Sequence, residues 1–343
     1  MIPATLDPGD SPRADSPLIS IVLTGRNDGY GGDFLTRFFR TLRFNHRELT
    51  RRGIPYELVF VEWAPPPDSP RLFDLVFEAV PDLDRAACAW YEVDPRYQQE
   101  MSLNPWLPYL EFVAKNVGVR RARGRFVLTT NCDVFLGRTM LDVFEHEALR
   151  PGVVYRAPRH DITLADDRRD VDWDVLEDPD ILTRPVKPLK PPFFAGGTGD
   201  FLMLDRESFH RLRGFNQIYR LARFSIDRNF LVKALSSGLT IEEIGGPVYH
   251  VSHEGSFRDN RRTYDGREHE SHWGRLRWHA RGVIYVNPRS WGLADAPITP
   301  MTANQSRLEF SWDAVPPLVD LERVVMPVAR LGKPFPGEYV SKF

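Results

Sequence analysis

Between residues 18 and 133 the chain alternates strand-like with helix-like segments, and this alternation restricts the fold more than any single motif. "LISIVLTGRND" (18–28) is a β-rich run that ends in polar residues, and "GDFLTRFFRTLRFNHRELTRRG" (32–53) carries apolar residues at helical spacing until Gly53. The pattern repeats: "YELVFVEW" (56–63) reads as a strand, "SPRLFDLVFEAVP" (69–81) as a helix opened by a Ser-Pro cap, and "AACAWYEV" (86–93) as a third strand. "PYLEFVAKNVGVRRARG" (108–124) is then helical with Gly124 as its stop, and "RFVLTTNCD" (125–133) is a fourth strand. Strands alternating with helices imply an α/β fold with a mostly parallel central sheet flanked by helices on both faces. A chain of 343 residues is long enough to bury a large core in such an arrangement.

In sheets of this kind ligands bind at the carboxyl ends of the strands. Arg26, Asn27 and Asp28, then Glu62, then Asn131, Cys132 and Asp133 all fall at such ends, so one crevice is expected to gather them. In an extended segment Asn131 and Asp133 point to one side, because side chains alternate with period two. An oxygen pair there suits a hard divalent cation that keeps open sites for phosphate oxygens or water. The plainer alternative is a polar strand end without chemistry.

These segments resemble the GT-A glycosyltransferases, which move a sugar from a nucleotide-sugar donor to an acceptor. The resemblance covers roughly residues 18–255 and rests first on "ISIVLTGRND", similar to the family's opening strand and nucleotide-contacting loop. It rests also on "AKNVGVRRARGRFVLTTNCDVF", similar to the segment leading into the family's D-x-D motif. Position 131 departs from that motif, being Asn, which leaves Asp133 as the principal metal ligand the resemblance implies. Glu62 stands where the family has an acid that contacts the nucleobase, and Lys115 where relatives carry a base facing the donor. "GGTGDFLMLDRESFHRLRGFNQ" (196–217) resembles the acceptor-side segment of the galactosyltransferase-like branch, which makes Gly197 and Asp200 acceptor-binding candidates. Within it, Asp205 and Ser208 suit a helix start and Gly214 its end.

In "FSIDRNFLVKALSSGL" (224–239), Asp227 precedes an apolar helical run and is either an N-cap or, as the resemblance implies, the catalytic base that deprotonates the acceptor hydroxyl. In "PVYHVSHEGS" (247–256), His250 and His253 lie where the galactosyltransferase-like enzymes have two metal ligands at this spacing. Joined to Asp133 they make a mixed nitrogen and carboxylate set that favours Mn2+, with Mg2+ the alternative. Arg26 and a basic loop holding Arg258, Arg261 and Arg262 are further candidates to meet the diphosphate.

Other features bound the reading. A net charge of -2 gives no global attraction to nucleic acid, and any anionic ligand must be held locally. No stretch reaches the roughly 20 apolar residues of a membrane span, and the N-terminus lacks the parts of a signal peptide, so the expected location is cytoplasmic, with peripheral membrane association as an alternative. Cys88 and Cys132 read as reduced packing residues. The acidic and proline-rich segment 160–192 reads as a solvated excursion, and the aromatic-rich C-terminus, with His269, His272, Trp273, Trp278 and Trp291, as a packed extension. The expected organisation is therefore a disordered start (1–17), a GT-A domain (18–256) and an extension packed on it (257–343). The activity this implies is a metal-dependent hexosyltransferase using a UDP-sugar and a hydroxyl acceptor on a glycan or glycoconjugate, in polysaccharide or glycoconjugate biosynthesis, with inversion favoured. The alternatives are a nucleotide- or sugar-binding subunit that has lost catalysis, for which Asn131 is the motive, and a nucleotidyltransferase, which calls for a more basic phosphate loop than "TGRNDGYGGD".

Overall fold

The computed structural model describes residues 16–105, 107, 109–165, 170–184, 188–191, 199–221, 226–253, 283–316 and 321–325. Its first half is the expected alternation: β1 (Ile19–Gly25), α1 (Phe34–Arg51), β2 (Tyr56–Trp63), α2 (Leu72–Ala79), β3 (Cys88–Val93), α3 (Arg96–Met101), α4 (Glu111–Arg121) and β4 (Phe126–Thr130). A short β5 (Val134–Phe135), α5 (Arg138–Glu145), β6 (Val153–Arg156), β7 (Arg159–Ile162) and α6 (Trp173–Leu176) follow. Then come β8 (Phe201–Asp205), α7 (Arg206–Arg211), α8 (Ile226–Ser236), β9 (Thr240–Glu243) and β10 (Val248–Val251). The C-terminal part adds β11 (Val283–Val286), β12 (Ile298–Pro300), β13 (Gln305–Leu308) and β14 (Glu322–Val325).

The four strands read from the sequence lie side by side as β3-β2-β1-β4, parallel throughout, inside a nine-stranded sheet of order β12-β13-β3-β2-β1-β4-β8-β6-β9. Both faces are covered, which is why these strands read as continuous apolar runs. On β1, Ile21 and Leu23 pack with Phe38 and Leu42 of α1, whereas Val22 joins the opposite core of Phe112, Val119 and Phe209. Helix α4 lies so close to β1 that a Cβ on Gly118 would come within 2.5 Å of Val22 Cγ1. The carboxyl ends are level, since Gly25 pairs with Glu62 and Glu62 with Glu92.

The sheet is mostly parallel, as expected, with β8 antiparallel to both β4 and β6 and β12 antiparallel to β13. Two details differ from expectation. The C-terminal residues enter the central sheet: β13 pairs parallel with β3 and carries β12 on its outer edge. Helix α2 has no Ser69 cap; its first amide, Leu72 N–H, donates to Glu62 Oε1 at 2.9 Å. The expectations for residues 1–15, Gly197, Arg258, Arg261, Arg262, His269, His272, Trp273 and Trp278 fall outside the described residues. Asp205 caps α7 as expected, accepting from Ser208 N–H at 2.8 Å. No helix among the described residues is long and apolar enough to cross a membrane.

Glu62 also accepts from Trp90 Nε1 at 3.2 Å and is fully buried. Burial pushes its carboxyl up to about 7 against those two hydrogen bonds, with Glu92 adding to the rise. A carboxyl that ionises less readily folded than unfolded lowers stability as pH rises from its ordinary 4.5 and has its full effect above about 7, a change of about 3 kcal/mol. Glu62→Gln is therefore expected to gain on the wild type by up to that amount across this interval, read from urea denaturation on either side of it. A pH-independent difference between the two proteins would contradict the assignment.

Candidate metal and nucleotide site

A separate three-stranded sheet, β5-β10-β7, builds the centre of the site. Strand β10 is its middle member, and His250 on it faces Val134 of β5 on one side and Asp161 of β7 on the other. Helix α1 fixes the corner that carries Asp133: Thr41 Oγ1 donates to the Cys132 carbonyl at 2.5 Å and Asn45 Nδ2 to the Val134 carbonyl at 2.9 Å. The register places Asp133 beside His250, and the chain leaving β10 returns His253 to the same point. Ligand atoms of Asp133, His250 and His253 all lie within 4.8 Å of one another.

The chemistry of this cluster fits a cation. Asp133 is 9% exposed, and among the described residues no hydrogen bond reaches its carboxylate. Its nearest polar neighbours are His253 Nε2 at 3.3 Å, Arg37 Nε at 3.6 Å and His250 Nε2 at 3.7 Å. A buried carboxylate without hydrogen bonds is costly unless a positive charge meets it. His250 Nδ1 lies 3.0 Å from Asp161 Oδ1, an acceptor, which puts the ring proton on Nδ1 and turns the Nε2 lone pair toward Asp133. Burial disfavours a charged His250, but Asp133, the hydrogen bond to Asp161 and the charge of Asp200 together outweigh it and raise its pKa. The cluster attracts a cation, and two imidazole nitrogens with one carboxylate suit a first-row transition ion better than calcium.

Arg37, which the sequence reading passed over, closes the site from the first turn of α1. Its buried guanidinium donates to the Tyr30 carbonyl at 2.8 Å and the Gly31 carbonyl at 3.1 Å, and pairs with Asp33. Gly31 has φ +72°, and a Cβ there would come within 2.7 Å of both Arg37 Nη2 and His253 Nδ1. Only glycine lets that backbone pass between the two side chains. The Tyr30 ring meets His253 edge-on at 5.1 Å. The glycine-rich "GYGG" followed by an arginine in the first helical turns was the available signal.

The remaining candidates divide. Arg26 and Asn27 tie the loop after β1 to the loop after β2, donating to the Ala64 carbonyl at 3.4 Å and the Pro70 carbonyl at 3.0 Å, and Asp28 pairs with Arg26 at 2.6 Å. They line the strand ends as expected. Glu62 does not reach this surface: it is fully buried and both of its oxygens are engaged, so the reading of it as a nucleobase contact does not fit. Lys115 is fully buried as well, and its three N–H donors go to Glu111 Oε1 at 2.8 Å, Asn131 Oδ1 at 2.8 Å and the Gly199 carbonyl at 2.9 Å. No donor is left for a phosphate. Asp227, half-buried in the first turn of α8, accepts from the adjacent Arg228 N–H at 2.8 Å, and loss of solvent raises its carboxyl above the ordinary value. Arg156 is in electrostatic reach of both Asp227 and Asp200.

Asn131 sits between two charged groups. Its oxygen accepts from Lys115, and its Nδ2 donates to Asp200 Oδ1 at 2.8 Å, while Arg159 Nη1 holds Asp200 Oδ2 at 2.8 Å. An amide can accept on one side and donate on the other; an ionised carboxylate only accepts. The asparagine is thus what a buried Asp200 requires beside it.

No family model matches the chain, and no curated protein matches it either. Among solved structures it is similar to GalNAc-T7 with UDP, GalNAc and Mn2+, at 12% identity and a TM-score of 0.47 over 71% of this chain and 45% of that one. It is also similar to the catalytic domain of Drosophila beta1,4-galactosyltransferase 7 in complex with xylobiose, at 12% identity and a TM-score of 0.40 over 90% of this chain and 93% of that one. The chain thus spans less than half the length of the first. Both likenesses are distant, and the chemistry is read from the site's own geometry.

Asn131→Asp is expected to lower stability by roughly 2 to 4 kcal/mol, because it replaces a buried charge-assisted hydrogen bond with two facing carboxyls. Denaturant melts and manganese titration of the variant check this. A variant as stable as the wild type, or one that binds manganese more tightly, would contradict it.

Proposed function

We propose that the chain is a GT-A-type glycosyltransferase that moves a hexose from a nucleoside-diphosphate sugar, UDP-sugar first, to a hydroxyl of a glycan or glycoconjugate. The observation that carries this reading is the convergence of Asp133, His250 and His253 just past the carboxyl end of a parallel strand, beside the loop that leaves β1. That is where a doubly covered parallel sheet presents ligands. Asp133, His250 and His253 would hold the ion, Mn2+ by the nature of its ligands, and when bound it would offset charge on the departing diphosphate. The loop from Arg26 to Asp28, tied to the loop after β2, supplies the nucleoside wall.

Asp227 acts as the base. The acceptor oxygen forms its bond to the anomeric carbon while its proton passes to the Asp227 carboxylate, and the bond from that carbon to the diphosphate oxygen breaks with its electron pair leaving on the diphosphate. A single displacement of this kind inverts the anomeric centre. Desolvation makes Asp227 a better proton acceptor than a solvated aspartate. Asp200 is buried, with one oxygen held by Asn131 and the other by Arg159, so it anchors the chain entering β8 and the reading of it as an acceptor-hydroxyl contact does not fit. The hydrogen bonds of Asn131 to Lys115 and Asp200 give its presence a structural reason, which supports an active enzyme over a degenerate binding subunit. A role in polysaccharide or glycoconjugate assembly in the cytoplasm accords with this chemistry and with the two buried, unpaired cysteines.

Calorimetric titration with UDP is expected to show binding that strengthens at least tenfold with manganese in the wild type and loses that gain in Asp133→Ala. Asp227→Asn is expected to keep donor binding and lose on the order of a hundredfold or more in turnover, in line with general-base contributions. The wild-type rate should fall on the acid side at a pH above the ordinary aspartate value of 3.8. UDP binding that ignores manganese, or an Asp227→Asn enzyme of full rate, would overturn the reading.

A further inference from the structure

We infer that Asp161 is a positioning residue of the metal centre, fixing His250 in the tautomer that offers Nε2 to the ion. The inference rests on the metal reading above and adds to it a residue from the acidic segment that composition alone assigns to solvent.

Three observations carry it. His250 and Asp161 are register partners in the parallel pair β10 and β7, so their side chains leave the sheet together, and Asp161 Oδ1 stands 3.0 Å from His250 Nδ1. Asp161 is itself held: Arg159 Nε donates to its Oδ1 at 2.8 Å, and its main-chain carbonyl accepts from Thr183 N–H at 2.9 Å. Arg159 in turn bridges to Asp200, and Asp200 to Asn131. Arg159 and His250 thus meet the same oxygen of Asp161, and the guanidinium fixes that oxygen where the imidazole reaches it. A neutral histidine with its proton on Nδ1 has its lone pair on Nε2, the atom 3.7 Å from Asp133 Oδ1. With the other tautomer, or with the ring free to turn, that lone pair is lost to the ion. A carboxylate behind a ligating imidazole is worth 10- to 100-fold in metal affinity as an order of magnitude.

The test is manganese binding to the full chain, read from the paramagnetic resonance signal of free Mn2+. Asp161→Ala is expected to weaken binding roughly 10- to 100-fold, and Asp161→Asn, which keeps an acceptor but not the charge, to lie between it and the wild type. In a His250→Ala background, Asp161→Ala should add less than about twofold, since no ring is left to orient. A second readout needs no metal: the long-range 1H–15N spectrum of the histidines at alkaline pH should show His250 protonated on Nδ1 in the wild type and a tautomer mixture in Asp161→Asn. Wild-type manganese affinity in both Asp161 variants, or an equal loss with and without His250, would overturn the inference. A wild type that shows the Nδ1 tautomer yet binds no manganese would instead sink the metal reading and leave the orienting contact standing.

Discussion

A carboxylate that is buried beside two imidazoles and receives no hydrogen bond among the described residues sets the terms for the site around it. Asp133 occupies that position, where Arg37 and the two histidines stand between 3.3 and 3.7 Å from its oxygens. Arg37 comes no closer than 3.6 Å to it and spends its other nitrogens on the loop from Tyr30 to Asp33. Asp161 commits His250 Nδ1, which leaves Nε2 facing the carboxylate. Removing charge from water is expensive, and a site that brings a carboxylate and two imidazoles together, with the His250 Nε2 lone pair turned inward, recovers that cost when a cation arrives.

Behind this centre runs a chain of side chains in which each acceptor meets a donor: Asp161, Arg159, Asp200, Asn131, Lys115 and Glu111. It links the cluster of Asp133, His250 and His253 beside the small sheet to Gly199 and Asp200, where the chain enters β8. Buried polar networks are stable only when each member is satisfied, and here the requirement explains two residues. Lys115 is used up in holding the network and does not contact a donor. Asn131, read against a D-x-D pattern, looks like a loss; within the network its amide accepts from Lys115 and donates to Asp200 at once, which an ionised carboxylate cannot do.

The strands and helices of the first half were legible because both sheet faces are buried and the periodicity changes cleanly between elements, as in the runs 18–28 and 32–53. Asp133, His250 and His253 were legible as a set only through resemblance, since a lone H-x-x-H spacing says little about what stands opposite it. Contacts between residues far apart in the chain were not legible. Glu62 looked like a strand-end ligand because nothing local shows that Leu72 N–H and Trp90 Nε1 will consume its oxygens. Asp161 lay in a stretch whose composition resists packing, yet β-pairing with Val248–Val251 fixes it against His250. Likewise the C-terminal strand β13 pairs with β3 across more than 200 residues, a register no local pattern encodes.

The central claim is that Asp133, His250 and His253 bind one ion that meets the donor diphosphate. The most direct measurement is anomalous diffraction at the manganese edge from crystals grown with Mn2+ and UDP. The expected result is a single strong peak within coordination distance of an Asp133 oxygen and of Nε2 on both histidines, with diphosphate oxygens completing its shell. A peak elsewhere, or UDP bound in the crevice with no anomalous signal at this cluster, would contradict the account.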